Sequence, residues 1–156
     1  MGKKKDFKPF SEKKQKEYER QARLQYGPEL VNESVRRWES YGKARQQAIM
    51  QEGGEIYTAL ARAMKAGHAA GSDEVNDILR RWHQHIRNFY EPTLEILRGL
   101  GTLYNTDPEF MAFFERIHKD LPAYLQATIT QYVDDLETAE IERMLAANSD
   151  DHTVHR

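Results

Sequence analysis

From Val75 to Leu136 apolar side chains return every three or four residues, and nowhere does the chain alternate apolar with polar in the two-residue rhythm of a strand. That spacing predicts an all-helical protein, because a helix brings positions three and four apart onto one face. Large apolar residues (Val, Ile, Leu, Met, Phe, Trp, Tyr) number 25 among the 62 residues of this stretch, against 11 among the 48 from Met1 to Ala48. The back half can therefore form a core by itself, whereas short polar helices in the front half must dock on something to be ordered. The expectation is one domain at 11–147, with a core at 49–147 and a more mobile N-terminal helical region at 11–48, between polar tails at 1–10 and 148–156.

Local signals place the helices. Ser11 caps one that runs to about Tyr26; Gly27 stops it, and Pro28 opens another reaching Trp38 or Tyr41. After Gly42 a long helix sets Ile49, Gly53, Ile56, Leu60 and Met64 on one face, with Gly53 and Gly54 expected to kink or fray it before "KAGHAAGS" ends it. Ser72 caps a helix whose stripe of Val75, Ile78, Leu79, Trp82, Ile86 and Phe89 lasts over four turns, until Pro92 and Thr93 break it and open the next. Asp107 and Pro108 start a helix carrying Phe110, Phe113, Phe114 and Ile117. The last begins at "DLPAYL", turns Leu121, Leu125, Ile129, Tyr132 and Leu136 inward, and extends to about Met144.

Several function classes lack the residues they need. The formal net charge is -2, which gives no reason to expect DNA or an anionic membrane as a partner. Residues 1–20 hold eight Lys or Arg against four acids, and residues 134–156 hold seven acids against Arg143 and Arg156; both ends read as solvated helix faces and tails. Without cysteine there is no disulfide, thiolate nucleophile or Cys-ligated zinc, which fits a cytoplasmic protein. "MGKKKDFKPF" has no apolar stretch behind its basic residues, so it is no signal peptide, and no run approaches membrane-spanning length. His83 and His85 are two apart and point to nearly opposite faces of a helix, so they cannot share a metal ion. His85 then reads as a histidine bordering the apolar stripe, or as a contact at the rim of a pocket. Asp134 and Asp135 diverge in the same way, and no nucleophile elbow, phosphate-cradling loop or nucleotide fingerprint occurs. No enzymatic activity, cofactor or metal is expected.

What remains is an excess of rings. Nine of the sixteen aromatics lie between Trp82 and Tyr132. Rings at helical spacing are ordinarily core, as Phe113 and positions like Ile117 are expected to be. Gly99 and Gly101, however, interrupt the helix in this region at a cost of up to about 1 kcal/mol each relative to alanine. Something must approach that backbone closely, a flat ligand held among the rings or another helix, and the ligand is the reading favoured.

"HIRNFYEPTLEILRGLGTLYNTDPEF", followed by "LPAYLQATITQY", resembles the TipAS antibiotic-recognition domain, the effector-binding half of some MerR-type multidrug-responsive activators. Looser similarity reaches back through "YGPELVNESVRRWESY" at residues 26–41. The resemblance implies a globin-like helical fold, a cleft for bulky, largely apolar peptide antibiotics such as thiopeptides or for polycyclic drugs, and an N-terminal helical lid. It places Trp82, His85, Phe89, Tyr90, Gly99, Gly101, Tyr104 and Phe110 around the cleft, with Trp38 and Tyr41 contributed by the lid. Members that trap thiopeptides covalently carry a cysteine just after the F-Y pair; Glu91 and Pro92 stand there in this chain, so capture would be non-covalent. Upstream of Ser11 there is no room for a winged helix-turn-helix, so no direct DNA contact is expected. The function implied is non-catalytic binding and sequestration of a hydrophobic drug-like or peptide-antibiotic ligand. The alternatives are the effector sensor of a MerR-like transcription regulator, acting through a regulator partner, and an interaction module that takes an amphipathic helix.

Overall fold

A computed structural model of the chain describes residues 27–154, so the helix expected from Ser11 to Tyr26 and the basic tail at 1–10 lie outside the described residues. Within that span the chain forms α1 (Pro28–Ser40), α2 (Lys43–Lys65), α3 (Asp73–Ile86), α4 (Leu94–Tyr104), α5 (Pro108–Glu115) and α6 (Leu121–Val154), with no strand among the described residues. The fold is all-α.

The helix starts follow from local hydrogen-bond chemistry. Gly27 precedes α1 at φ +94°, a backbone region open to glycine, and Pro28 takes the first helical position, where its missing N–H removes nothing. Ser72 Oγ accepts the Val75 N–H at 3.4 Å at the head of α3, and Thr93 Oγ1 accepts the Ile96 N–H at 3.1 Å at the head of α4. Asp107 Oδ2 accepts the N–H groups of Glu109 and Phe110 at 3.0 and 3.1 Å, which anchors the short α5.

Three elements depart from the sequence expectation. α2 runs uninterrupted through Gly53 and Gly54, because tertiary contacts described below hold that stretch. α3 stops at Ile86, and Phe89 lies in a tightened turn in which the Arg87 N–H donates to Gln84 O and the Phe89 N–H to Ile86 O. Pro92 disfavours helical backbone at Glu91, so the chain unwinds several residues ahead of it. α6 passes residue 147, where a polar tail was expected, and continues to Val154, since no glycine or proline follows Pro122 to end it.

The core gathers Ile56 and Leu60 of α2, Val75, Leu79 and Trp82 of α3, Leu97 of α4, Phe114 of α5, and Leu121, Leu125, Ile129 and Val133 of α6. α4 and α6 run antiparallel: Arg98 donates to Asp134 and Glu137 at 2.9 and 2.8 Å, and Asn105 Nδ2 donates to Gln126 Oε1 at 2.8 Å. Beyond Leu136 the described side chains of α6 are exposed, including Ile141, Met144 and Leu145.

Candidate functional site

The residues singled out in the sequence fall into two groups rather than around one opening. The first is the aromatic interior. Trp82 of α3 is fully buried, and its ring meets Tyr104 of α4 edge-on at 6.4 Å between centroids. Tyr104 is tilted against Phe110 at 5.5 Å and edge-on to Phe114 at 4.9 Å. Tyr57 of α2 completes the cluster, with its ring 4.8 Å from Phe114 and its hydroxyl 3.3 Å from that of Tyr104. Edge-to-face contacts of this kind satisfy the ring quadrupoles, so the rings fill the space between the helices with one another. Burial raises both tyrosine pKa values, so the pair stays protonated as mutual donor and acceptor. The Trp82 indole N–H is close enough to both hydroxyls to act against that rise, yet it makes no hydrogen bond of ordinary geometry.

The second group lies where α1 rests on the corner between α3 and α4. Trp38 stacks on Phe89 at 5.7 Å with the planes 27° apart. The Tyr41 hydroxyl donates to Asn88 O at 2.6 Å, and Arg37 Nη1 donates to Arg87 O at 2.9 Å. Arg87 is the C-cap of α3 and Asn88 the residue after it, so α1 satisfies acceptors that the helix end and the turn beyond it leave open. Gln46 Nε2 donates to Trp38 O at 2.7 Å and ties the end of α1 to the start of α2. Only Val31 of α1 is buried, so the helix is held by this patch of contacts rather than by a deep apolar face.

His85 connects this corner to α2. It is buried, with Nδ1–H donating to Glu52 Oε1 at 3.1 Å and its ring edge-on to Phe89 at 5.8 Å. Its Nε2 lies 3.0 Å from where a Cβ on Gly53 would stand, so glycine at that position is what lets the imidazole sit against α2. His83 points elsewhere, with Nδ1 and the Tyr132 hydroxyl sharing a hydrogen bond of 2.9 Å. Among the described residues no trio of His, Cys, Asp or Glu is close enough to hold a metal ion.

The two glycines of α4 separate. A Cβ on Gly101 would stand 3.0 Å from Ile129 Cγ2 and 3.1 Å from Ile129 Cβ, so the neighbour that this glycine admits is α6. Gly99 is half-buried in the same helix, and Tyr90 is half-buried against the core. Open space lies instead between α2 and the end of α5, in a groove of about 470 Å³ bordered by Met50, Gly54 and Thr58 on one side and Phe113 and Ile117 on the other. Phe113 and Ile117, expected as core, are half-buried: they pack on the core and also border this groove.

Sequence reasoning missed Tyr57, Glu52, Arg37 and the groove. Tyr57 lies outside the ring-rich stretch of the chain and joins the cluster only through the packing of α2, so its position carried no local signal. Gly54 did carry one, since a second glycine beside Gly53 is unexplained by a single close contact.

A family profile described as the TipAS antibiotic-recognition domain matches residues 18–132. The chain is 32% identical over 127 residues to the HTH-type transcriptional activator mta of Bacillus subtilis, covering 81% of this chain and 49% of that protein. It is 31% identical over 131 residues to the HTH-type transcriptional regulator SkgA of Caulobacter vibrioides, covering 81% and 51%, and 28% identical over 125 residues to the HTH-type transcriptional activator TipA of Streptomyces coelicolor, covering 79% and 49%. The chain thus spans about half the length of the curated relatives it matches. No solved structure matches it. Among the described residues no helix is long and apolar enough to cross a membrane.

Proposed function

Because the chain belongs to the TipAS antibiotic-recognition domain family, we propose that it binds a bulky hydrophobic drug-like or peptide-antibiotic ligand, non-covalently, at the corner where α1 meets α3 and α4. The observation that carries this reading is how α1 meets the end of α3 among the described residues: through the Trp38–Phe89 stack and the Arg37 and Tyr41 hydrogen bonds to backbone carbonyls, with Val31 its one buried side chain. Such a helix can lift and re-dock at small cost, acting as a lid. Lifting it would bare Phe89, the edge of His85 and Tyr90, and present Trp38 and Tyr41 as rings that close over a guest. Trp82, Tyr104 and Phe110, packed on one another behind this corner, would support the site from the interior, and Gly99 would be where a ligand meets the backbone of α4. Stacking and burial would supply the affinity, less the cost of ordering the lid. The chain contains no cysteine for covalent capture.

The names of the relatives favour a second reading, in which this ligand-binding unit serves as the sensor of a transcription regulator. Both readings need the same binding event and are tested together. In a Trp82→Phe variant Trp38 is the sole tryptophan; a ligand taken from a panel of peptide antibiotics and polycyclic drugs should change its emission and slow amide exchange across α1. A ligand that binds while leaving Trp38 emission and α1 exchange untouched would refute the lid site. A gel shift of a DNA-binding regulator partner, with this chain present and with and without ligand, separates sensing from sequestration.

A further inference from the structure

The groove between α2 and α5 is lined by residues other than those that meet His85 and the α3 corner. Gly53 and Gly54 are neighbours in sequence and therefore about 100° apart around the helix axis. Gly53 is occupied by His85, whereas a Cβ on Gly54 would meet nothing within 4 Å among the described residues. An interior glycine costs about 1 kcal/mol relative to alanine, and no contact among the described residues requires one at 54. Met50, Gly54, Thr58 and Arg62 follow one another at four-residue intervals down this face, a row about 18 Å long at 1.5 Å per residue. Met50 is unusual in the body of the domain as a large apolar side chain left exposed. Across from it stand Phe113 and Ile117.

The groove also carries an excess of positive charge. Arg36, Arg37, Arg80, Arg87, Arg98 and Arg143 each pair with a carboxylate. Arg45, Arg62, Arg81 and Arg116 have no carboxylate partner among the described residues, and two of these four, Arg62 and Arg116, line the groove. The Arg116 guanidinium lies 5.6 Å over the Phe113 ring, which holds it at the rim instead of leaving it free to swing. Glu55 is the one acid on the lining, so the two guanidiniums outnumber it.

From these features we propose that the groove is a second binding site, taking an anionic amphiphile: an apolar chain or plate laid along Met50, Gly54, Thr58 and Phe113, with a carboxylate-like head between Arg62 and Arg116. Guanidiniums bind planar carboxylates in a fork geometry that an ammonium or a sugar cannot use, so the head sets the selectivity. This site is independent of the lid site.

Dodecanoate, used below its micelle concentration, is a suitable probe, with dodecyltrimethylammonium and dodecyl maltoside as cationic and neutral counterparts. Calorimetric titration of the full chain should give saturable one-to-one binding of dodecanoate, at least about tenfold tighter than the cationic probe. Gly54→Leu should fill the groove and abolish binding while leaving the melting temperature unchanged or higher. The double variant Arg62→Gln, Arg116→Gln should bring dodecanoate to the affinity of the neutral probe. Equal affinity for the three probes, no saturable binding of dodecanoate, or undiminished binding to a folded Gly54→Leu protein would each overturn the proposal. Trp38 emission should not respond, so the outcome leaves the lid site to its own test.

Discussion

Replacing Gly101 with alanine would put a methyl carbon 3.0 Å from Ile129 Cγ2 and 3.1 Å from Ile129 Cβ, with the backbone Cα of Gln126 at 3.7 Å. Apolar carbons rest at about 3.5–4.0 Å, so the contact is short by roughly half an ångström or more. Rotating Ile129 relieves only part of it, because its Cβ is fixed to the α6 backbone; α4 must move away from α6. Overpacking of a filled interface costs about 1–3 kcal/mol. Against this, alanine stabilises a helix by up to about 1 kcal/mol over glycine. The net expectation is a loss of about 1 kcal/mol, or a fall of about 2–4 °C in melting temperature for a chain of this size. Gly99→Ala, half-buried in the same helix, is the comparison: if Gly99 faces the proposed ligand site and not another helix, the change is neutral or slightly stabilising in the free protein. Differential scanning calorimetry on the two variants measures both. A melting temperature for Gly101→Ala at or above that of the parent would show that the glycine does not serve the α4–α6 contact. A double-mutant cycle sharpens the test: Ile129→Ala removes the 3.0 Å contact with Cγ2 while keeping that with Cβ, so the two changes together should cost less than their sum.

Trp38→Ala removes the stack on Phe89, worth about 0.5–1.5 kcal/mol beyond area burial, and should speed hydrogen exchange in α1 with little change in the global unfolding midpoint; unchanged exchange would mean that α1 is held by other contacts. Asp107→Ala deprives two N–H groups of their acceptor and should cost about 1 kcal/mol, with Asp107→Asn largely restoring it in urea unfolding. Burial, reinforced by the Arg87 charge, lowers the His83 pKa below its ordinary value of 6.5. The unfolded chain then takes up this proton more readily, so stability is flat above that pH, declines as the pH falls through the window down to the folded pKa, and levels off below it. His83→Gln should remove this part of the slope; a ring titration by NMR at or above the ordinary histidine value would contradict it.

Signals confined to a few neighbouring residues were legible in the sequence. Gly27 with Pro28, Ser72, Thr93, and Asp107 with Pro108 all cap or open helices where expected, since a cap is a hydrogen bond between a side chain and an N–H two or three residues on. The inward row of α6 was legible for the same reason of periodicity. The end of α3 was not, because the apolar stripe continues to Phe89 after the backbone has left the helix. Gly53 was read as a weak point in α2 because its imidazole partner lies 32 positions further along the chain.

By itself the order of residues determined the helical class, the heads of the helices and the stretch that supplies most of the core, because these depend on spacing and on hydrogen bonds over one turn. The tertiary structure decided which glycine faces a histidine, which faces an isoleucine and which faces open space. It also decided that the rings of Tyr57, Trp82, Tyr104 and Phe114 close on one another, since each of those outcomes depends on how two helices distant in sequence approach and turn their faces.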